Sequence, residues 1–166
     1  MRYILRRREI VPDEWRYLGE ALDGADALIV PLAELRREGE RWRQWRGRLG
    51  VRLSPAHAVE ELGAEIPGLG LIAVEFPSAG DGRGYSQARL LRERLGFRGE
   101  LRAVGAGVRQ EQVFLLGRCG FDALELAPGE DLEAARRALS RYDVAYQPGV
   151  APANSTMPLR GQRFHA

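Results

Sequence analysis

Apolar positions along the chain recur at a spacing of two in some stretches and near 3.6 in others. The alternation between the two is clearest from Leu71 to Leu126. Leu71-Ile72-Ala73-Val74-Glu75-Phe76 is a short apolar run closed by Pro77 and followed by Gly80-Asp81-Gly82-Arg83-Gly84. Helical spacing then predicts a helix over 85–95, with Ala88, Leu91 and Leu95 on one face, Arg89, Arg92 and Glu93 elsewhere, and Gly96 as a left-handed stop. A strand over 100–104, a Gly105-Ala106-Gly107 turn and a helix over 108–119 come next, with Leu115, Leu116 and Cys119 on one side of that helix. Gly120 ends it, and a strand over 121–126 follows. Two βαβ units sharing a strand predict a parallel sheet whose βα loops gather at one edge.

The flanks extend this pattern. Tyr3-Ile4-Leu5 and Glu14-Trp15-Arg16-Tyr17-Leu18 alternate about Val11-Pro12-Asp13, which predicts a small N-terminal hairpin or flap over 1–26. Ala27-Leu28-Ile29-Val30 is a buried-strand pattern stopped by Pro31. From 32 to 45 the period is helical but heavily charged, leaving a narrow apolar face of Leu32, Leu35, Trp42 and Trp45. Gly50-Val51-Arg52-Leu53 is a short strand, and Ser54 with Pro55 after it predicts a capped helix running to Leu62-Gly63. Beyond Leu126, Pro128-Gly129-Glu130-Asp131 turns into a helix that buries Leu132, Ala135 and Leu139, its two acids suiting the helix dipole. Val144-Ala145-Tyr146 is a last short strand, and 148–166 has the Pro, Gly, Asn, Ser and Thr content of a flexible tail. The expected fold is therefore α/β, with about six mostly parallel strands in βα units over 27–147. It forms an open sheet or a partial (β/α) barrel, because a closed eight-stranded barrel needs about 250 residues.

Composition changes this picture at few points. The 166 residues suffice for one domain, and 45% hydrophobic with 29% charged residues is ordinary for a globular protein. All 25 basic residues are arginines, which suits anion recognition, but 23 acidic residues interleave with them and the net charge is only +2. No basic block runs unopposed, so nucleic-acid binding is not expected. The single cysteine, Cys119, excludes a disulfide framework and any Cys-only metal centre. No leader pattern or membrane-length apolar run occurs, and the expectation is a cytoplasmic protein without a membrane partner.

Sites on parallel sheets collect at the carboxyl ends of strands. Two βα loops there are glycine-rich. Asp81, Gly82, Arg83 and Gly84, with Gly105 and Gly107, could hold an anion on backbone N–H groups and a guanidinium. The alternative is a tight turn in which Arg83 clamps Asp81 or Glu75. Gly105-Ala106-Gly107 is no dinucleotide fingerprint, since Gln110 stands where its third glycine belongs. Glu75, Arg102 and Glu125 lie near the ends of three strands. They read as one charged cluster with the arginine between two carboxylates, either a buried ion triad or a substrate clamp. Cys119 reads as a packed thiol, and Trp42 and Trp45 as a half-buried edge of a solvated helix. His57 and His165 have no ligand spacing, so neither a metal nor a cofactor is expected.

The strings Glu75-Phe76-Pro77, Asp81-Gly82-Arg83-Gly84-Tyr85-Ser86, Ala88-Arg89-Leu90-Leu91-Arg92 and Arg118-Cys119-Gly120-Phe121-Asp122 resemble a bacterial family. It is the one catalogued as domain of unknown function nine-three-four, and the resemblance spans about Val11 to Tyr146. It implies a gene neighbourhood with assimilatory sulfite reductase and phosphoadenylylsulfate reductase, and through that the label of an oxidoreductase in sulfite reduction. It carries no catalytic residues over. After Gly105 the family pattern would have an aspartate and a turn one residue shorter, where this chain has Ala106-Gly107. The leading expectation is a cofactor-free accessory protein of sulfate and sulfite assimilation that binds sulfite reductase or phosphoadenylylsulfate reductase. The alternative is an enzyme or sensor of a small anionic metabolite, and a third is a structural homodimer module.

Overall fold

A computed structural model of the chain describes residues 2–21, 24 and 26–140. The strand expected at Val144-Ala145-Tyr146, the tail expected over 148–166, and His165 lie outside the described residues. Eight strands form one mixed sheet: β1 (Tyr3–Arg6), β2 (Glu9–Pro12), β3 (Arg16–Tyr17), β4 (Ala27–Pro31), β5 (Arg48–Leu53), β6 (Leu71–Glu75), β7 (Glu100–Val104) and β8 (Ala123–Leu124). Their order across the sheet is β2-β1-β8-β7-β6-β5-β4-β3. Neighbours from β3 to β8 pair parallel, whereas β1 pairs antiparallel with both β8 and β2. Eight strands in a mixed sheet correct the expected six mostly parallel ones, and the N-terminal hairpin is the reason. It is formed by β1 and β2 and completes one edge of the sheet. Residues 14–18, expected as its second arm, supply β3 at the opposite edge.

Strands placed side by side in sequence order, joined by right-handed crossovers, put every crossover on one face. The sheet accordingly curls into a half-barrel with its helices outside. These are α1 (Leu32–Arg37), α2 (Gly39–Arg43), α3 (Arg83–Arg89), α4 (Val113–Arg118) and α5 (Leu132–Ser140). Strand alternation sorts the core between the faces. Leu28, Val30, Val51, Leu53, Ile72, Val74, Leu101, Ala103 and Leu124 point outward to Leu32, Leu35, Trp42, Leu62, Ala88, Leu91, Leu116 and Ala135. Ala27, Ile29, Leu71, Ala73 and Val104 point inward and pack on Trp15. Both faces are thus covered, which is why the strands read as continuous apolar runs.

Several expected helices are shorter than their apolar period. The 32–45 stretch breaks at Glu38, where φ is −119°. The helix expected after Ser54 is a turn followed by a 3₁₀ segment, Val59–Gly68, kinked at Gly63. The α3 helix continues as a widened π turn, Leu90–Arg94, and α4 is preceded by a 3₁₀ turn, Gln110–Gln112. Two side-chain placements change with them. Leu115 is exposed while Leu116 is buried beside the half-buried Cys119. Arg92, expected outside the apolar face, is buried. It donates to Gly120 O (3.0 Å), Phe97 O (2.8 Å) and Gly99 O (2.9 Å) and pairs with Asp122. Asp122 also accepts the Leu101 N–H at 3.0 Å. This pair staples the π turn to the starts of β7 and β8.

Candidate functional site

The concave face of the half-barrel carries the charged residues, and strand register fixes their levels. Arg52 and Arg102 flank Ala73, with Ala123 beyond Arg102. One step towards the carboxyl ends, Glu75 lies beside Val104, and the Glu125 N–H bonds Ala103 O just past β8. Glu75, Arg102 and Glu125 therefore share the concave face, as the alternation predicts.

The expected pairing among them does not form. Arg102 is fully buried and turns to other partners. Its Nε and Nη2 reach Glu100 Oε1 at 2.9 and 2.7 Å, and its Nη1 reaches Asp13 Oδ2 at 3.0 Å. The Asp13 carboxylate, also fully buried, accepts Arg2 Nε at 2.8 Å and, on Oδ1, the Trp15 N–H at 3.1 Å. Burial pulls the Arg102 guanidinium down, but Glu100 and then Asp13 outweigh it, and the net shift is upward. Arg2 behaves alike, burial being outweighed by Glu125, Asp13 and Glu20. The physical reason for the correction is position along the strand. Arg102 sits one level below the two glutamates, next to the segment that brings in Asp13.

Above this buried nucleus lies a half-exposed rim. Arg52 Nη2 pairs with Glu75 Oε1 at 2.5 Å, and Tyr17 Oη donates to Glu125 Oε2 at 2.8 Å. The Tyr17 ring lies under two guanidinium groups, 4.7 Å from Arg2 and 5.8 Å from Arg52. Such cation–π contacts hold charge at a rim without neutralising it. Burial first, and then the Glu125 charge, raise the Tyr17 phenol above its ordinary range, so it stays a donor. Glu75 and Glu125 remain 26% and 23% exposed. Asp13, Tyr17 and Arg2 escaped the sequence reading. Their only local signal was Trp15 alternating with Tyr17, which marks a strand and says nothing of its neighbours.

In the glycine-rich loops, several donors have partners within the chain. Arg83 clamps Asp81 through Nε (3.0 Å) and Nη2 (2.6 Å), and that hydrogen-bonded clamp holds the Asp81 carboxyl below its usual range. The Arg83 N–H also bonds Asp81 (3.2 Å), and the Gly107 N–H bonds Phe76 O (2.8 Å). These donors serve protein acceptors. At Gly107 a Cβ would stand 2.4 Å from the Ser78 carbonyl, so that glycine lets two βα loops touch. The Gly84 Cα packs on the Phe76 ring, where a Cβ would be 2.5 Å away. At the end of β5, His57 Nδ1 accepts the Ser54 N–H at 3.0 Å and so shapes the turn. Burial raises the Cys119 thiol, which favours the inert form. Among the described residues, no group of three His, Cys, Asp or Glu is placed to hold a metal, and no helix is long and apolar enough to cross a membrane.

Compared with known families, residues 50–157 match the model described as a bacterial protein of unknown function (DUF934). That span is more than half of the chain. It includes Arg52, Glu75, Arg102 and Glu125, whereas Arg2, Asp13 and Tyr17 precede it. No curated protein matches the chain.

Proposed function

As the chain belongs to the bacterial family of unknown function DUF934, we propose that it is a cofactor-free accessory protein of assimilatory sulfate and sulfite reduction in the cytoplasm. It acts by docking sulfite reductase or phosphoadenylylsulfate reductase on its concave rim. The observation that carries this reading is the rim itself. Each carboxylate there is already matched within the chain, Glu75 by Arg52 and Glu125 by Tyr17. Catalysis by general acid and base asks for a group held apart and tuned near neutrality. A mixed set of paired, half-exposed charges instead suits electrostatic recognition of a protein surface, where it sets register and encounter rate. The test is capture of the tagged chain from cells growing on sulfate as sole sulfur source. Recovery of sulfite reductase or phosphoadenylylsulfate reductase subunits supports the reading. A clean bait without either, from cells where both are expressed, removes it.

The second reading, an enzyme or sensor of a small anionic metabolite, draws on the two part-exposed arginines of the concave face, Arg2 and Arg52. Arg83, exposed and paired with Asp81, lies apart from them where the loop after β6 enters α3. Protection of the protein by sulfite or sulfate, lost on replacing a concave arginine but kept in Arg83→Ala, favours this reading.

A further inference from the structure

The Asp13 carboxylate has the surroundings of a bound oxyanion. Two guanidinium groups and one backbone N–H converge on it: Arg2 at 2.8 Å, Arg102 at 3.0 Å and the Trp15 N–H at 3.1 Å. Planar guanidinium forks and an amide are the usual furniture of carboxylate and tetrahedral-oxyanion sites. The carboxylate and Arg102 are both 0% exposed, so this is a built, desolvated site. Asp13 lies just past the β1–β2 ladder, where its N–H bonds Arg2 O at 2.9 Å. Asp13-Glu14-Trp15 is the bridge between the two edge strands, and β3 beyond it pairs with β4 over only two residues. A cavity of about 300 Å³ adjoins the nucleus, lined by Arg6, Arg7, Glu9, Val11 and Glu100. Its Glu100 wall is the same carboxylate that holds Arg102 from the other side.

We propose that Arg2, Arg102 and the Trp15 N–H form a latent site for a small oxyanion, and that Asp13 is its internal occupant, excluding external anions while the bridge is in place. The donor set specifies the ligand. Arg2 also faces Glu20 and Glu125, so the match is one of donors rather than of net charge: removing Asp13 leaves Arg2 Nε, Arg102 Nη1 and the Trp15 N–H without that acceptor, and a carboxylate or a sulfur or phosphorus oxyanion supplies it. The inference is independent of docking on the rim, since the nucleus lies beneath it and no protein surface reaches a fully buried carboxylate.

The experiment is chemical rescue on the full chain. Asp13→Ala and the isosteric Asp13→Asn are melted in formate, acetate, sulfite, sulfate and phosphate against chloride at matched ionic strength. Asp13→Ala should melt below the native protein and recover saturably with at least one oxyanion, and the anion that rescues separates flat carboxylates from tetrahedral or pyramidal oxyanions. That anion should bind Asp13→Asn at least about tenfold more tightly than the native chain, because the competing internal occupant no longer carries charge. Adding Arg102→Met should abolish both effects. If Asp13→Ala does not fold, calorimetric titration of Asp13→Asn carries the test alone. No saturable effect from any anion on the folded variants overturns the proposal. Equal effects on the native chain, or effects that survive Arg102→Met, overturn it too.

Discussion

Among the described residues, Arg102 is the largest side chain buried in full, and its guanidinium is held on both sides by carboxylates. Deleting one partner of such a group leaves charge in a poorly solvated place, which costs about 3–5 kcal/mol. Arg102→Met should lose that much in urea denaturation, a large share of the roughly 5–15 kcal/mol that holds a domain together. Glu75→Gln and Glu125→Gln, at the half-exposed rim, should lose less than about 1 kcal/mol. Equal losses at all three positions would mean that rim and nucleus are one network. Tyr17 offers a second test. Its folded-state pKa is raised, so the folded chain keeps the proton after the unfolded chain has released it. The stabilisation is complete below about pH 10, the unperturbed tyrosine value, and is lost as pH rises further. Stability should therefore fall more steeply above that pH in the native protein than in Tyr17→Phe, and a spectrophotometric titration of the native chain minus that of Tyr17→Phe should show the Tyr17 phenol ionising late. A phenol at position 17 that ionises with the others contradicts the Glu125 bond. From the sequence, the shared face of Glu75, Arg102 and Glu125 follows from counting along strands. The partner of Arg102 does not, because Asp13 is 89 residues away and its own neighbourhood gives no sign of burial.

Among the elements, the βα loops after β6 and β7 are held together by glycine contacts. Gly107→Ala would drive a Cβ to 2.4 Å from the Ser78 backbone, which cannot swing aside as a side-chain tip would. Overpacking of this kind costs about 1–3 kcal/mol. At Gly82, nothing lies within 4 Å of the added carbon and φ is −82°, so Gly82→Ala should stay within about 0.5 kcal/mol of the native protein. Denaturation midpoints of the two variants decide between a packing role for Gly107 and a merely flexible loop, which would predict two small effects. Helix positions were legible from apolar spacing, but hydrogen-bond register was not. The stretch over 85–95 keeps its buried Ala88 and Leu91 whether it is α throughout or opens into a π turn. What selects the wider turn is tertiary. It accompanies a buried Arg92 that meets Asp122 and three backbone carbonyls from the β7 and β8 approaches.

For the whole molecule, one connection defines the shape. The two edges of the eight-stranded sheet, β2 and β3, are consecutive in the chain and separated by three residues. Four peptide steps reach about 14 Å at most. The sheet must therefore curl enough to bring the end of β2 within that reach of the start of β3, with Trp15 in the hollow and the charged rim gathered above it. The succession of strands and helices was legible from the alternating periods, but the order across the sheet was not, because a crossover can set the next strand on either side of the last. An N-terminal hairpin was legible too, but not the place of its turn, expected at Val11-Pro12-Asp13, because the two-residue turn is Arg7-Arg8, both at positive φ (49° and 71°). Turns of that shape normally advertise themselves with Asn or Gly. The account rests on the rim, rather than the glycine-rich loops, being the working surface. The most direct measurement is the amount of sulfite reductase or phosphoadenylylsulfate reductase captured by three folded baits: the native chain, the double variant Arg52→Gln/Glu75→Gln, and Arg83→Ala. Capture should drop at least about tenfold in the double variant, as expected when a charged recognition pair is neutralised, and stay near native in Arg83→Ala. Undiminished capture by the double variant, with loss in Arg83→Ala, would contradict it.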